Sequence, residues 1–308
     1  MEVFVKRIMR KTVLIFFILK SLLFYSQTCE VRDFLTKESL PFATIILDNE
    51  NGVYTNENGM FQLDNKYKSI RISYVGYEDY NAEIKDLKDT IFLKPISYNI
   101  EEVTITNNKN PPKKIGYLKN SMKKCGTSLP LSPKGEQIIV LTPTNKDIID
   151  SYIEKVEFPL NKVKHYNKTD KLYKNAPAVV RINIYTVENN LPKQQIFSSK
   201  PIKFIISDKE IVSVDVSEEM IKIPEQGLCF GIEMIGRINE NGEFVEENSY
   251  TRPLLTNQSS KDYKAVTYRT NSILKKESEY YPMNDINQHS ICKETQDYNL
   301  AIGLIISK

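Results

Sequence analysis

Gly52-Val-Tyr-Thr-Asn-Glu-Asn-Gly-Met-Phe-Gln-Leu63, followed by Ile70-Arg-Ile-Ser-Tyr-Val-Gly-Tyr77, is the stretch on which the reading of this 308-residue chain turns. Gly52 and Gly59 each close a polar run whose side chains tolerate reversal of the backbone. Ile70, Ile72 and Tyr74 then alternate with Arg71 and Ser73, the period-two pattern of a strand with one buried face. Working outward, strands are expected at residues 30–33, 42–48, 52–55, 60–63, 69–75, 78–84 and 89–94, with turn signals between them. Short strands at this spacing predict a small seven-stranded antiparallel sandwich.

The pattern becomes more specific in Val31, Asp33, Thr36, Leu40-Pro41, Ala43, Gly52, Thr55-Asn56, Gly59, Phe61, Leu63 and Ser73-Tyr-Val-Gly-Tyr77. In these residues the segment resembles the carboxypeptidase regulatory-like domain, a transthyretin-like, Ig-type β-sandwich common in cell-envelope proteins of Bacteroidetes-type bacteria. Glu30 and Asn56 stand where that family usually has Gly and Asp. Leu93-Lys-Pro95 and Ile100-Glu-Glu-Val-Thr-Ile-Thr106 are similar to the exit segment that joins such domains to the plug of TonB-dependent receptors. The resemblance spans residues 30–106 and implies a domain that is itself non-catalytic.

Upstream, Lys6, Arg7, Arg10 and Lys11 precede an apolar run at residues 13–19, which Lys20 interrupts before residues 22–25. The run falls short of the ~20 apolar residues that span a bilayer, so residues 1–26 read as a cleaved secretory signal. Cys29 lacks the flanking residues of a lipidation site. The first 26 residues hold five of the 42 Lys/Arg and one of the 39 Asp/Glu. The formal charge of +3 therefore belongs to the targeting segment, and the remaining chain is near neutral. That removes the global support for nucleic-acid binding.

Residues 107–114, Asn-Asn-Lys-Asn-Pro-Pro-Lys-Lys, break every period and read as a linker, with a short helix expected at 115–124 and turns at 125–134. Further period-two segments follow at 137–141, 156–160, 180–184, 202–206, 212–216, 228–234 and 300–306. They predict a larger antiparallel sandwich, jelly-roll-like in type. The expected organisation is a signal at 1–26, a regulatory-like sandwich at 27–106, a linker with a short helix at 107–130 and a second sandwich at 131–308. Arg181-Ile-Asn-Ile-Tyr185, Leu191-Pro192 and Gly227-Leu-Cys-Phe-Gly-Ile-Glu233 make this second body similar to the C-terminal sandwich of flavobacterial surface proteins, a resemblance that implies no activity.

Few residues are candidates for chemistry. A zinc carboxypeptidase needs His and Glu three apart plus a second His, whereas His165 and His289 are followed at that spacing by Lys168 and Cys292. Both histidines lie in polar stretches without a Gly-x-Ser-x-Gly elbow, and both read as surface residues. Cys29, Cys125, Cys229 and Cys292 are too scattered for a zinc site, and an oxidising compartment allows three complete disulfide pairings among them. If Leu228 and Phe230 face a core, Cys229 faces the other way with Gly231 and Glu233. The oxygen-rich runs at 48–52 and 56–59 read as β-turns rather than calcium loops, and no phosphate-cradling glycine loop is present. Tyr263, Tyr268, Tyr280 and Tyr281 are the candidates for a sugar-stacking face, while Glu218-Glu219 and Glu246-Glu247 splay and make poor acid/base pairs.

The sequence thus predicts an exported, non-catalytic binding or scaffolding module of the cell envelope, in the periplasm, on the outer membrane or secreted. No catalytic, cofactor-binding or metal residues are assigned. An envelope protein or a glycan is the expected partner, with no nucleic acid, no nucleotide and no membrane span after signal removal. The alternatives are an accessory of a TonB-dependent uptake system and a hydrolase whose site is dispersed over the second sandwich.

Overall fold

The computed structural model describes residues 27–64, 66–96, 111–116, 131–162, 177–205, 210–239, 241–247, 251–256, 258–283 and 299–308. The signal reading at 1–26, Cys125, Cys292, His165 and His289 lie outside them, as do residues 117–124 of the expected helix. The described chain is almost entirely β, and its helical elements are three-residue 3-10 turns such as Ile84–Asp86 and Lys146–Ile148. No helix among the described residues is long and apolar enough to cross a membrane.

The first body holds β1 (Gln27–Asp33), β2 (Thr44–Leu47), β3 (Asn51–Tyr54), β4 (Met60–Leu63), β5 (Ser69–Ser73), β6 (Tyr80–Glu83) and β7 (Thr90–Leu93). Two sheets, β4-β1-β7 and β3-β2-β5-β6, face each other. Alternation along each strand turns Val31, Ile45, Leu47, Phe61, Leu63, Ile70, Ile72, Ile91 and Leu93 into one core. In one respect the expectation of an antiparallel sandwich is corrected: β1 and β7 pair in parallel. They are the two ends of the sandwich, joined through five intervening strands, so no hairpin forces them antiparallel.

The family-like residues turn out to be hydrogen-bonding fixtures. The Thr55 hydroxyl, fully buried, accepts from Ala43 N at 2.8 Å and donates to Leu40 O at 2.9 Å. Asp33 accepts from Thr36 N at 2.9 Å and from the Tyr77 hydroxyl. Asn56 Oδ1 accepts from Asn58 N at 2.9 Å and Met60 N at 3.0 Å, so an amide supplies the acceptor that an Asp would. Gly52 does not make the reversal expected of it. Asp48 and Asn49 turn the chain, both in the left-handed region (φ 51° and 55°), and Gly52 lies within β3 for another reason given below.

The second body comprises β8 (Lys113–Gly116), β9 (Glu136–Pro143), β10 (Tyr152–Lys162), β11 (Ala178–Glu188), β12 (Leu191–Ser198), β13 (Ile202–Phe204), β14 (Glu210–Asp215) and β15 (Leu228–Ile238). After these come the short β16 (Phe244–Val245), β17 (Thr251–Pro253) and β18 (Leu255–Thr256), then β19 (Tyr263–Thr270), β20 (Tyr281–Pro282), β21 (Asn299–Leu300) and β22 (Gly303–Ser307). One sheet runs β14-β10-β22-β8 and the other β12-β11-β15-β9-β19-β20. In chain order β8, β9, β10, β11, β12, β14, β15 and β22 pass between the two sheets as a double Greek key, which is the jelly-roll connection. Between the sheets Val156, Phe158, Leu160, Leu304 and Ile306 meet Ile139, Leu141, Val180, Ile182, Ile184, Phe230, Ile232 and Met234.

Two differences from the sequence reading stand out. Lys113–Gly116, read as the end of the linker and the start of a short helix, is a strand whose Ile115 is 4% exposed and packs in the core opposite Leu304. Leu191–Ser198 and Tyr263–Thr270, for which no strand was expected, are full strands of the larger sheet. Their alternation is masked because half of each strand faces water with Lys193, Gln194, Gln195, Lys264 and Val266.

Candidate functional site

The centre of the larger sheet's outer face, on β11, β15 and the start of β9, does not face water. Arg181, Asn183 and Tyr185 alternate along β11 with the core residues Ile182 and Ile184, and all three are buried. On β15 the same face carries Cys229, Gly231 and Glu233, as the alternation predicted, and on β9 it carries Glu136. Cross-strand register places Arg181 opposite Glu233, and Glu233 opposite Glu136. Two carboxylates directly opposite one another repel, and repel more strongly when buried.

Every neighbouring group answers that charge. Lys275 Nζ lies 2.9 Å from Glu136 Oε2 and 3.3 Å from Glu233 Oε2. Asn183 Nδ2 donates to both carboxylates, at 2.8 and 2.9 Å. Tyr185 Oη donates to Glu136 at 2.8 Å and receives Lys275 Nζ at 2.9 Å. A Cβ at Gly231 would sit 1.9 Å from Glu136 Oε1, so glycine there leaves room for the hydrogen-bonded carboxylate to stand where it does. Burial would lift the Glu233 carboxyl, but Lys275, Arg181 and the bonds from Tyr54 and Asn183 hold it down at about 2. Burial dominates at Glu136 and raises it, with Glu233 adding to the rise and Lys275 opposing.

The first sandwich closes this face. The Tyr54 hydroxyl donates to Glu233 Oε1 at 2.6 Å, and Arg181 Nη2 donates to the Phe42 carbonyl at 2.7 Å. Phe42 (φ 59°) and Tyr54 pack with Val179, Ile235, Ile238 and Ile273 in an apolar cluster drawn from both bodies. Phe42 meets the Phe244 ring edge-on at 5.0 Å. Gly52 serves this contact: a Cβ there would sit 1.7 Å from Ile273 Cγ2. Lys203 pairs with Glu57 at the rim.

Beside this contact the bodies part, leaving a cleft of about 500 Å³. One wall is the outer face of β2 and β5, where Thr44 pairs across strands with Ser73 and Ile46 with Arg71. The turn Tyr74-Val-Gly-Tyr77 forms its lip. The opposite wall is the edge strand β12 from Gln195 to Ser198, with Lys193, and the floor is Arg181, Glu233, Lys275 and Tyr280. A second hollow of about 790 Å³ continues past Tyr74, Tyr77 and Arg181 toward Lys200 and Asp215.

The residues singled out from sequence distribute differently. Tyr263 is buried in the core between the sheets, Tyr268 and Tyr280 pack with Ile138, Val140, Tyr185 and Cys229, and Tyr281 is 52% exposed, so the four do not form one stacking face. Of them Tyr280 alone reaches the cleft. Glu246 accepts from Tyr54 N and pairs with Lys134, whereas Glu247 pairs with Arg237, so this carboxylate pair splays. Glu218 and Glu219 lie in the 3-10 turn Ser217–Glu219. Cys29 and Cys229 are free and buried, and burial pushes their thiols up to about 11 and about 12. Among the described residues no group of three or more His, Cys, Asp or Glu is placed to hold a metal ion. Sequence reasoning missed the cleft because its walls come from residues more than a hundred positions apart. The alternation of Arg181, Asn183 and Tyr185 with apolar neighbours was the one available signal.

Comparison with known proteins agrees with the first sandwich. Residues 29–105 match the family model of the CarboxypepD_reg-like domain. No curated protein matches the chain. Among solved structures, the chain is similar to the cysteine protease and lectin-like domains of Cwp84, a surface layer associated protein of Clostridium difficile. The identity is 13%, over 57% of this chain and 32% of that one, with a TM-score of 0.34. The matched segment thus spans about a third of that structure, and a superposition this loose carries no argument about function.

Proposed function

We propose that this protein is an exported, non-catalytic binding module of the cell envelope, and that its binding surface is the cleft between the two sandwiches. The observation that carries this reading is the division of labour among the polar residues. The buried ions Glu136, Glu233, Arg181 and Lys275 satisfy one another within the second body, and Glu233 and Arg181 also bond to Tyr54 and Phe42 of the first. The cleft beside them, by contrast, is walled by polar side chains and by the exposed Val75 and Ile196, 42% and 41% accessible. Its volume falls within the ~300–1,000 Å³ usual for ligand sites. The regulatory-like sandwich then serves as one jaw of the site rather than as a remote spacer.

Fluorescently labelled mature protein, applied to envelopes of the native cells, tests the reading. Wild-type protein is expected to bind saturably. Val75→Arg and Ile196→Arg, each at a position already exposed, are expected to weaken binding by about tenfold or more without lowering Tm. Binding unaffected by both variants, or none at all, overturns the proposal. The hydrolase alternative is checked in parallel: turnover abolished by His165→Ala or His289→Ala would displace a pure binding role.

A further inference from the structure

Two buried polar atoms in this cleft have no partner within the protein. Ser198, at the end of β12 and 4% exposed, has a hydroxyl with no hydrogen-bond partner, and so has Arg71 Nε on the opposite wall. Buried donors without acceptors are costly, about 1–3 kcal/mol each, and both of these belong to residues that line one hollow, where a small side-chain movement would bring them to a ligand's acceptors. The groups around them narrow the ligand. Arg71 Nη1 lies 4.0 Å from Asp79 Oδ2, a loose pair with both side chains roughly half exposed. A guanidinium that only donates stands there beside a carboxylate that only accepts, the arrangement that two neighbouring hydroxyls can bridge. Thr44 and Ser73 add a cross-strand hydroxyl pair to the same wall. Tyr74 and Tyr77 stand at the lip, rings 5.5 Å apart at 66°, with Tyr280 across from them.

The charges are mixed rather than of one sign. Lys275 and Arg181 are matched by the two carboxylates Glu136 and Glu233, and Lys193 pairs with Glu188 and Glu277. A strongly anionic or cationic ligand therefore finds no surplus counter-charge. The walls present hydroxyl, amide and ionic groups with tyrosines, interspersed with single apolar side chains such as Ile46, Val75 and Ile196, the mixed lining that suits a ligand with polar edges and apolar faces. Resting on the binding reading above, we infer that the cleft is a site for a short neutral oligosaccharide. Ser198 and Arg71 donate to its ring or hydroxyl oxygens, Asp79 accepts from a hydroxyl, and Tyr74 offers an apolar surface to a sugar face.

The experiment has two arms. In calorimetric titration the mature protein meets maltotriose, cellotriose, mannotriose, galactotriose and chitotriose. At least one is expected to bind with submillimolar affinity, weakened about fivefold to tenfold by Ser198→Ala and more by Arg71→Met, with Tm of the free protein not lowered, since each variant removes a buried donor that lacks an acceptor. In the second arm, envelope binding is measured after periodate, which cleaves vicinal diols, or after protease. Loss with periodate and retention after protease is the expected result. No binding to any of the five sugars, or wild-type affinity in both variants, overturns the inference. Envelope binding that survives periodate but not protease overturns it too, while leaving the binding-module reading intact with a protein as occupant.

Discussion

Glu136 and Glu233 are cross-strand neighbours on one buried face, yet their surroundings treat the two carboxyls oppositely. Glu233, held at about 2 against an ordinary 4.5, contributes stability that is fully present above the ordinary value and is lost as pH falls from 4.5 toward 2. Glu136, raised by burial, does the reverse: its ionised form costs stability once pH has risen through its folded value. The neutral isosteres should therefore differ. Glu233→Gln leaves Arg181 and Lys275 short of a buried counter-charge and is expected to cost about 3–5 kcal/mol. Glu136→Gln keeps an acceptor for Asn183 and Tyr185 and is expected to cost only about 1–2 kcal/mol. Urea titrations at neutral pH and at pH 3 check the pair. Glu233→Gln should lose less stability on acidification than wild type, and equal losses in the two proteins would overturn the assignment.

Among the elements, what could be read from the chain was what its local period records. The strands of the first sandwich were legible because Ile70, Ile72 and their counterparts alternate cleanly with polar residues, and the broad core strands β10, β11, β14 and β15 for the same reason. β8 was not legible. It turns one residue, Ile115, into the core, and its pairing partner β22 lies at the far end of the chain, so nothing local distinguishes it from the proline-rich stretch before it. Lys114 adds a surface pair with Glu157 at 2.7 Å, worth little on its own. The strand is therefore anchored by Ile115, and Ile115→Ala is expected to cost about 2–5 kcal/mol, with Ile115→Val costing about 0.5–1.5 kcal/mol. Urea denaturation measures both, and a loss within error for the alanine variant would show that β8 is dispensable to the sandwich. Turn chemistry was half legible: Asp48 and Asn49 were marked as turn formers, but the purpose of Gly52 lay in Ile273, more than two hundred residues away.

At the scale of the whole molecule, the contact between the sandwiches decides whether the cleft has fixed walls. Contacts between domains of one chain ordinarily permit motion unless they bury a substantial apolar surface. Here an apolar cluster around Phe42, Tyr54, Ile235 and Ile273 is combined with the Tyr54 to Glu233 and Arg181 to Phe42 bonds, both fully desolvated. Breaking either bond takes a partner from a buried charge that already shares its remaining ones, so the bodies are expected to separate only when the second one loosens. The wild-type chain should then melt in a single calorimetric transition. Gly52→Ala is the sharpest probe, because the added methyl meets Ile273, a β-branched side chain only 6% exposed and packed in the cluster between the bodies. Overpacking of this kind costs about 1–3 kcal/mol, which for a chain of this size lowers Tm by several degrees and should split the transition as the first sandwich comes free. Proteolysis of the chain under native conditions should accelerate in parallel, and sugar or envelope binding should weaken although no cleft residue has changed. Two separate transitions already present in wild type, or Gly52→Ala melting and binding as wild type does, would mean that the jaws move independently and that the cleft is formed only when its ligand draws them together.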